Sequence, residues 1–172
     1  MSYILATAGS NSSTSINFQL VKYTADLLVN HEVDLLELAK LEFPMYGEDL
    51  EKAAGIPQEI TRLKARIQNA SGVVLSVNEH NGNPSAFFKN ILDWLSREER
   101  RFFADRPVLL MSASGGKRGA ASSRSVVEQM IPRFGGRVSA TFSLPGFHEN
   151  FDPGSGITEP ELALEHKAAL EA

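Results

Sequence analysis

The stretch YILATAGSNSSTSIN, residues 3–17, joins an apolar run to a loop that is crowded with hydroxyl groups and carries no charge. The run 3–8 predicts a buried strand, and apolar residues at helical spacing from Ile16 onward predict a helix. The free amides and the dipole at a helix start attract anions, and serine or threonine can cap it. We therefore predict a phosphate cradle, with a serine-rich capped turn that binds no ligand as the alternative. The loop matches neither a Walker A loop nor the dinucleotide fingerprint.

The composition is that of an ordinary globular domain. The 172 residues include 42% hydrophobic and 22% charged side chains, with a formal net charge of −4. This length predicts a single domain over residues 1–172, and the mild acidity disfavours a nucleic-acid partner. Cysteine is absent, which excludes disulfides, thiolate metal sites and cysteine nucleophiles. Because no apolar run approaches the roughly 20 residues that span a bilayer and no signal peptide is recognised, we expect a cytoplasmic protein without a membrane partner.

Apolar runs alternate with helical patterns along the chain. Strands are predicted at 3–8, 33–38, 73–77 and 108–112, and an edge strand at 137–144. Helices are predicted around 16–27, 56–67, 87–95 and 125–134, where Pro132 disturbs the last turn, and at the C-terminal end with Pro160 in the first turn. This alternation predicts an α/β domain with helices on both faces of a parallel sheet. The stretches 42–57 and 145–158 are expected to be irregular, as functional loops or as surface decoration.

The loops after strands one, three and four emerge at the same edge of such a sheet, where α/β proteins bind ligands. The second loop lies in VNEHNGNPSAFFKNILDW (77–94), in which Asn81-Gly82 signals a turn and Asn83 is the predicted N-cap. Its amides could approach the edge of a planar ring beside His80; a solvated or capping histidine is the alternative.

The third loop, SASGGKRGAAS (112–122), has glycines that let the backbone approach a ligand closely. Lys117 and Arg118 add positive charge there, with a flexible loop and solvated cations as the alternative. Three unusual loops at one edge of the sheet together predict a ligand site.

At these residues the chain resembles the NADPH-dependent FMN reductase family, the flavodoxin-like group that includes azo-, quinone- and chromate reductases. The first loop is similar to the family's G-S-x-R-x-x-S-x-N pattern. The second block keeps the family's pattern at Glu79, Asn81, Gly82, Lys89, Asn90, Asp93 and Trp94. The resemblance covers about residues 1–140, including LEFPMYGEDLE (41–51). It implies a flavodoxin-like three-layer sandwich whose five-stranded parallel sheet has the order 2-1-3-4-5.

The resemblance also implies bound FMN. The phosphate is then expected at Ser10, Ser12, Ser15, Ile16 and Asn17, the isoalloxazine at Asn78, Glu79, His80, Asn81 and Gly82, and its pyrimidine edge at Ser114, Gly115, Gly116, Lys117 and Gly119. Homodimers or homotetramers are usual in the family, with the third-strand loop and the following helix near the partner.

The implied activity is that of an NAD(P)H-dependent FMN reductase or quinone reductase-like enzyme. Hydride passes from NADPH or NADH to bound FMN, and on to a quinone, an azo compound, free flavin or a similar small-molecule acceptor. No catalytic side chain and no metal ligand is predicted, because the flavin supplies the chemistry. The alternatives are an FMN electron-transfer or redox-sensing protein that does not oxidise nicotinamides, and a flavodoxin-like domain without cofactor.

The chain departs from the family pattern at four positions. Ser12 stands where the family has arginine, and a guanidinium is the usual partner of a 2′-phosphate. The choice between NADPH and NADH is therefore open. Asn78 replaces the family's proline, His80 replaces its tyrosine, and Ala86 replaces a frequent glycine. A histidine beside a flavin could respond to pH in the physiological range.

Overall fold

The computed structural model describes residues 2–172. Its main sheet has five parallel strands in the order β2-β1-β3-β4-β5, as the resemblance implied. The strands are β1 (Tyr3–Ala8), β2 (Glu32–Leu36), β3 (Gly72–Val77), β4 (Pro107–Ala113) and β5 (Arg137–Leu144). The prediction of an edge strand at 137–144 is confirmed.

Seven helices connect and cover these strands. They are α1 (Ile16–Asp26), α2 (Glu48–Ala54), α3 (Gln58–Asn69), α4 (Ala86–Glu98), α5 (Ala121–Met130), α6 (Phe147–Asn150) and α7 (Pro160–Glu171). Pro160 occupies the first turn of α7, where its missing N–H costs no hydrogen bond. Within residues 2–172, no helix combines the length and the apolar character needed to cross a bilayer.

Several predicted boundaries are wrong. Strand β2 stops at Leu36, because Leu38 begins a 3₁₀ turn that buries its side chain in the core. The fourth predicted helix begins earlier, at Ala121, and its last four residues tighten into a 3₁₀ turn around Pro132. Proline has no N–H for the regular helical ladder, which explains the change of helix type.

The two stretches predicted as irregular contain secondary structure. Residues 42–57 include α2, whose first turn carries three acidic residues against the helix dipole. Residues 145–158 include α6 and an antiparallel hairpin of β6 (Phe151–Asp152) and β7 (Gly156–Ile157). Helix α2 buries none of its residues, so it leaves little apolar periodicity to recognise.

The sheet separates two apolar layers. Leu5 and Ala6 are neighbours on β1, both fully buried, and they belong to different layers because successive side chains of a strand point to opposite faces. The layer containing Leu5 packs against α3, α4 and α5, and the layer containing Ala6 packs against α1 and α7. Burial on both faces explains the nearly continuous apolar runs of the central strands.

Serine caps begin the two helices that follow β1 and β3. Ser15 Oγ accepts the N–H of Phe18, and Ser85 Oγ accepts the N–H of Phe88, both at 3.2 Å. The prediction of an N-cap at Asn83 is therefore wrong, since Ser85 takes that position. The Ser85 hydroxyl also donates to the carbonyl of Gly9 at 3.1 Å, which ties the first loop to the start of α4.

Candidate functional site

The loops after β1, β3 and β4 surround a cleft of about 300 Å³ at the carboxyl edge of the sheet. Of the predicted site residues, the cleft is lined by Ser10, Ser12, Ser15, Ile16, Asn17, Asn78, Glu79, His80, Ser114 and Gly115. Thr14 and Ala113 also line it, whereas Asn81, Gly82, Gly116, Lys117 and Gly119 do not. This volume lies at the lower end of the range of small-molecule sites, which is roughly 300–1,000 Å³.

The hydroxyl groups of the first loop are oriented by the loop's own backbone. The Oγ atom of Ser10 accepts the N–H of Ser12 at 3.2 Å, and the Oγ atom of Ser12 accepts the N–H of Thr14 at 3.3 Å. Ser15 Oγ accepts the capping N–H described above. A hydroxyl that accepts an amide proton still has its own proton to donate. Ser10 and Ser15 can therefore each donate a hydrogen bond to a ligand.

The first turn of α1 adds backbone donors to the cleft. The amide N–H groups of Ile16 and Asn17 have no hydrogen-bond partner within residues 2–172, because the first amides of a helix lack an intrahelical acceptor. Neither lysine nor arginine is among the residues that line the cleft. The loop thus presents neutral donors and the positive end of a helix dipole, an arrangement that suits an anion without a cationic side chain.

The side chain of Asn17 has a structural role. Its carboxamide is 2% exposed and makes three hydrogen bonds: Oδ1 accepts the Ser76 hydroxyl at 2.7 Å and the Ala113 N–H at 2.9 Å, and Nδ2 donates to the Ala113 carbonyl at 3.1 Å. These bonds fasten the start of α1 to the ends of β3 and β4. Asn17 therefore has its backbone amide, and not its side chain, available for a ligand.

The second loop closes with a tight two-residue turn. The N–H of His80 donates to the Asn83 carbonyl at 2.8 Å, and the Asn83 N–H donates back at 3.1 Å. Asn81 and Gly82 both have positive φ, at 54° and 77°, which is the type I′ arrangement that asparagine followed by glycine favours. The turn occupies the amide of His80, so this predicted ring-contacting donor is already bonded.

A serine on α5 anchors the residues that precede this turn. The Ser123 hydroxyl donates to the Asn78 carbonyl at 2.7 Å, and the Ser123 N–H donates to Glu79 Oε2 at 3.0 Å. Ser123 is fully buried. Because its single side chain and amide hold two successive residues, the backbone at the end of β3 is fixed against α5.

The third loop is bonded to the segment that follows β5. The Gly116 carbonyl accepts the N–H groups of Gly119 and Gly146, and the Ser114 carbonyl accepts the N–H of Phe147 at 3.0 Å. A Cβ on Gly119 would lie 2.7 Å from the carbonyl carbon of Leu144, and its φ is +56°. Gly119 is therefore required for the close approach of two backbones.

The charged side chains of the third loop are exposed, whereas the aromatic residue Phe147 of the segment after β5 is buried. Lys117 and Arg118 are exposed, and neither forms an ion pair within residues 2–172. Phe147 stacks on Phe151 with ring centroids 4.6 Å apart and is buried, so these two aromatics pack the loop. His148 is exposed and lies beside Gly115.

The sequence profile of the NADPH-dependent FMN reductase family matches residues 2–148. The chain belongs to this family. It is an oxidoreductase that uses FMN and a nicotinamide, as the family's description states.

Relatives and solved structures agree with this assignment. An NADPH azoreductase of Bacillus sp. (strain OY1-2) is 32% identical over 131 residues, which cover 75% of this chain and 68% of the relative. The quinone reductase of Escherichia coli (strain K12) is 28% identical over 127 residues, covering 73% and 68% respectively. The structure of FerB, a flavoenzyme NAD(P)H:(acceptor) oxidoreductase from Paracoccus denitrificans, has a TM-score of 0.77 at 22% identity and covers 99% of this chain and 94% of FerB. At that identity the structural likeness shows the flavodoxin-like fold.

Two residues around the cleft of this FMN reductase family member, Ala113 and Ser123, were not predicted as site residues. Thr14, which also lines the cleft, belongs to the hydroxyl-rich loop that was predicted to supply donors to a phosphate. Ala113 lines the cleft through its position at the end of β4. Ser123 has no local signal at all, because its two bonds join residues 44 and 45 positions apart in the chain.

A larger groove of about 960 Å³ lies elsewhere, between the end of α1 and α7. It is lined mostly by aliphatic side chains, together with the buried His166. The helix start at its border is that of α7, whose first residue, Pro160, has no N–H to offer a ligand. Burial lowers the pKa of His166 to about 4, and its Nε2 lies 2.8 Å from the hydroxyl of Thr24. We therefore place the candidate site in the smaller cleft, where polar donors converge.

Proposed function

We propose that this oxidoreductase binds FMN in the cleft and passes hydride from NADH or NADPH to a small-molecule acceptor. The observation that carries the proposal is the convergence of neutral, preoriented donors from the first loop and the start of α1, in a cleft where three loops meet and the strand order reverses. The names of its relatives, quinone reductase and azoreductase, support a quinone, an azo compound or free flavin as the acceptor. We place the activity in the cytoplasm, where reduced nicotinamides are supplied.

The first loop is the proposed phosphate site. Its donors are the hydroxyls of Ser10, Ser12 and Ser15 and the amides of Ile16 and Asn17. Preorganised neutral donors at a helix start bind an anion because they need no reorganisation and add to the helix dipole. The absence of a cation from the cleft lining is therefore compatible with a bound phosphate.

The loops after β3 and β4 are the proposed ring site. Asn78 and Glu79 bring the end of β3 to the cleft, and Asn78 Nδ2 lies 3.3 Å from His80 Nε2. His80 is exposed and offers a flat side chain, and Gly115 has no side chain to obstruct the opposite loop. We include the predicted Asn81, Gly82, Gly116, Lys117 and Gly119 as residues that shape these loops around the ring.

When bound, FMN supplies hydride acceptance and onward transfer. The chain's own contribution is to hold the phosphate, to position the ring and to place dipoles near the charge that develops on it. We therefore assign no general acid, nucleophile or metal ligand.

Titration of the apoprotein with FMN and with riboflavin tests the site. We expect FMN to bind more tightly than riboflavin, which lacks the phosphate. Ser10→Ala removes an oriented donor and should weaken FMN binding about three- to tenfold, the value of roughly one hydrogen bond, while riboflavin binding stays unchanged. Ser13→Ala, on the same loop but outside the cleft lining, is the matched control.

Anaerobic mixing with NADH and NADPH then tests the activity. Bleaching of the flavin absorbance and parallel double-reciprocal lines with a quinone are expected for alternating donor and acceptor. A protein that binds no FMN contradicts the proposal outright. Flavin that neither nicotinamide bleaches indicates an electron carrier instead.

We also propose that the protein forms homodimers or homotetramers through the face of α4 that carries the segment before α2. The segment before α2 is held on α4, since Asn90 Nδ2 and Trp94 Nε1 both donate to the Pro44 carbonyl, at 2.9 and 2.8 Å. This segment presents Met45 at 70% exposure, and Leu50 of the following α2 is exposed as well. Light scattering should show an oligomer that Met45→Asp dissociates; an unchanged oligomer or a monomeric parent protein would contradict the assignment of this face.

A further inference from the structure

A row of hydrogen bonds joins α5 to the third loop through two serines. Arg124 Nε donates to the Ser143 hydroxyl at 2.9 Å, and the Ser143 and Ser112 hydroxyls lie 2.9 Å apart. Ser112 Oγ in turn lies 2.7 Å from the carbonyl oxygen of Gly119. Ser112 is fully buried, and the Arg124 side chain is 20% exposed. We call these four residues the Arg124–Gly119 network.

The donors of this network all point from α5 toward the loop. A carbonyl can only accept, so Ser112 gives its single hydroxyl proton to Gly119. The bond between the two serines therefore uses the proton of Ser143, whose oxygen accepts from the Arg124 guanidinium. A hydrogen bond from a charged donor is stronger than a neutral one and polarises the bonds that follow it.

Gly119 is the point where the network meets the third loop. Its N–H donates to the Gly116 carbonyl at 3.2 Å, so both of its backbone polar groups are bonded. The Gly116 carbonyl also accepts the N–H of Gly146 at 3.1 Å. The preceding residue, Gly115, lines the cleft, and its N–H has no acceptor within residues 2–172. The position of this free donor therefore depends on how the turn 116–119 is held.

We propose that Arg124 is a positioning residue, which holds the third loop through Ser143 and Ser112. Arg124 does not line the cleft, so it acts on a ligand only through the loop. Without a donor at the Nε position, the Ser143 hydroxyl is free to rotate and its bond to Ser112 weakens. The ion pair of Arg124 with Glu128 uses a different nitrogen, Nη1, at 3.2 Å, so the two roles can be separated.

The consequence for flavin binding rests on the proposed function. The third loop is part of the proposed ring site, and the pyrimidine edge of a flavin presents several acceptor atoms to which the Gly115 N–H could donate. A loop that is held less firmly should therefore weaken binding of the ring. Riboflavin is the probe, because it has the ring and lacks the phosphate.

Glutamine and methionine are a matched pair of substitutions for Arg124. Counted in bonds from Cα, the side-chain nitrogen of glutamine takes the place of Nε, and methionine has a methyl group there. Both lack the guanidinium and the ion pair with Glu128, and both are good helix formers. A difference between the two variants therefore reports the N–H donor alone. Glu128→Gln is the control for the ion pair, since it leaves the bond to Ser143 in place.

The first test is riboflavin affinity. Arg124→Met should bind riboflavin about three- to tenfold more weakly than the natural protein, the value of roughly one hydrogen bond. Arg124→Gln should restore the affinity to within about twofold, and Glu128→Gln should stay within the same range. Equal losses in Arg124→Met and Arg124→Gln, or an unchanged affinity in Arg124→Met, would overturn the proposal.

A second test asks whether Arg124 acts through Ser143. In a Ser143→Ala background the N–H at position 124 has no hydroxyl to bond, so the methionine and glutamine variants should bind riboflavin equally. Substitutions that break the same network are non-additive, whereas independent ones add. A difference of about threefold that persists in this background would show another route of action and would overturn the proposal.

A measurement without flavin keeps this proposal distinct from the proposed function. In the apoprotein, the amides of Gly119 and Gly146, which share the Gly116 carbonyl, should exchange their hydrogens about three- to tenfold faster in Arg124→Met than in Arg124→Gln. The amides of β1 should exchange equally in both variants. Equal exchange at Gly119 and Gly146 would overturn the positioning role. If exchange differs there but no flavin binds, the proposed function fails and the positioning role of Arg124 stands.

Discussion

Replacement of Asn17 by alanine should destabilise the protein before it affects a ligand. The carboxamide makes three hydrogen bonds in a site that is 2% exposed, with the hydroxyl of Ser76 and with both backbone groups of Ala113. Alanine would leave these partners without a bond where water has little access. At about 1 kcal/mol for each lost bond, the free energy of unfolding should fall by about 3 kcal/mol.

Urea unfolding of the apoprotein, followed by far-UV circular dichroism, measures this loss. With a slope of about 2 kcal/mol per molar urea, the midpoint should fall by about 1.5 M. Asn30→Ala is the matched control, because Asn30 is exposed and forms no side-chain hydrogen bond within residues 2–172; its effect should stay within about 0.5 kcal/mol. A loss below about 1 kcal/mol in Asn17→Ala, combined with weaker FMN binding, would refute the structural role and make Asn17 a ligand contact.

Three further substitutions test other parts of the structure. Because burial lowers the pKa of His166 from 6.5 to about 4, its stabilising contribution is complete above pH 6.5 and is lost as the pH falls toward 4. His166→Gln should remove about 3 kcal/mol of the decrease in unfolding free energy between pH 7 and pH 4, and an identical decrease in both proteins would contradict this. Ser12→Arg should raise the ratio of kcat/KM for NADPH over NADH roughly tenfold, the value of a hydrogen bond to a charged group, with FMN affinity nearly unchanged; a constant ratio argues against 2′-phosphate recognition at this position. Gly119→Ala should cost about 2 kcal/mol or more in urea unfolding, because of positive φ and backbone contact, whereas Gly47→Ala, with no atom within 4 Å of the added Cβ, should be nearly neutral.

Local patterns were sufficient to predict several of the strands, turns and helix starts around the cleft. Uninterrupted apolar runs predicted the central strands because both faces of those strands are covered. The serine before α1 predicted its start, since a hydroxyl can satisfy an amide three residues later within the same turn. The Asn81-Gly82 pair predicted its turn because these residues tolerate positive φ. Each of these signals acts over a few residues and can therefore be recognised in the sequence.

The predictions of the strand order and of an FMN site came from resemblance to a family and not from periodicity. Ten of the fifteen residues that the resemblance assigned to the site line the cleft. One of them, Asn17, uses its side chain for hydrogen bonds within the fold. The resemblance also gave equal weight to Gly119, whose absent side chain allows two backbones to touch. A family pattern records which residue type stands at a position. Because a ligand contact and a structural contact can favour the same residue type, the pattern does not distinguish between these two roles.

The sequence by itself determined the α/β architecture, the hydroxyl-rich first loop and the lack of a cation within it. Only the tertiary structure decided how the polar groups of the cleft are used. Asn17 meets Ala113 across 96 positions of the chain, and Ser123 meets Asn78 across 45. Bonds of this span depend on how strands and helices pack and leave no trace in local spacing. For the same reason, only the folded chain shows which backbone amides orient the hydroxyls of the first loop.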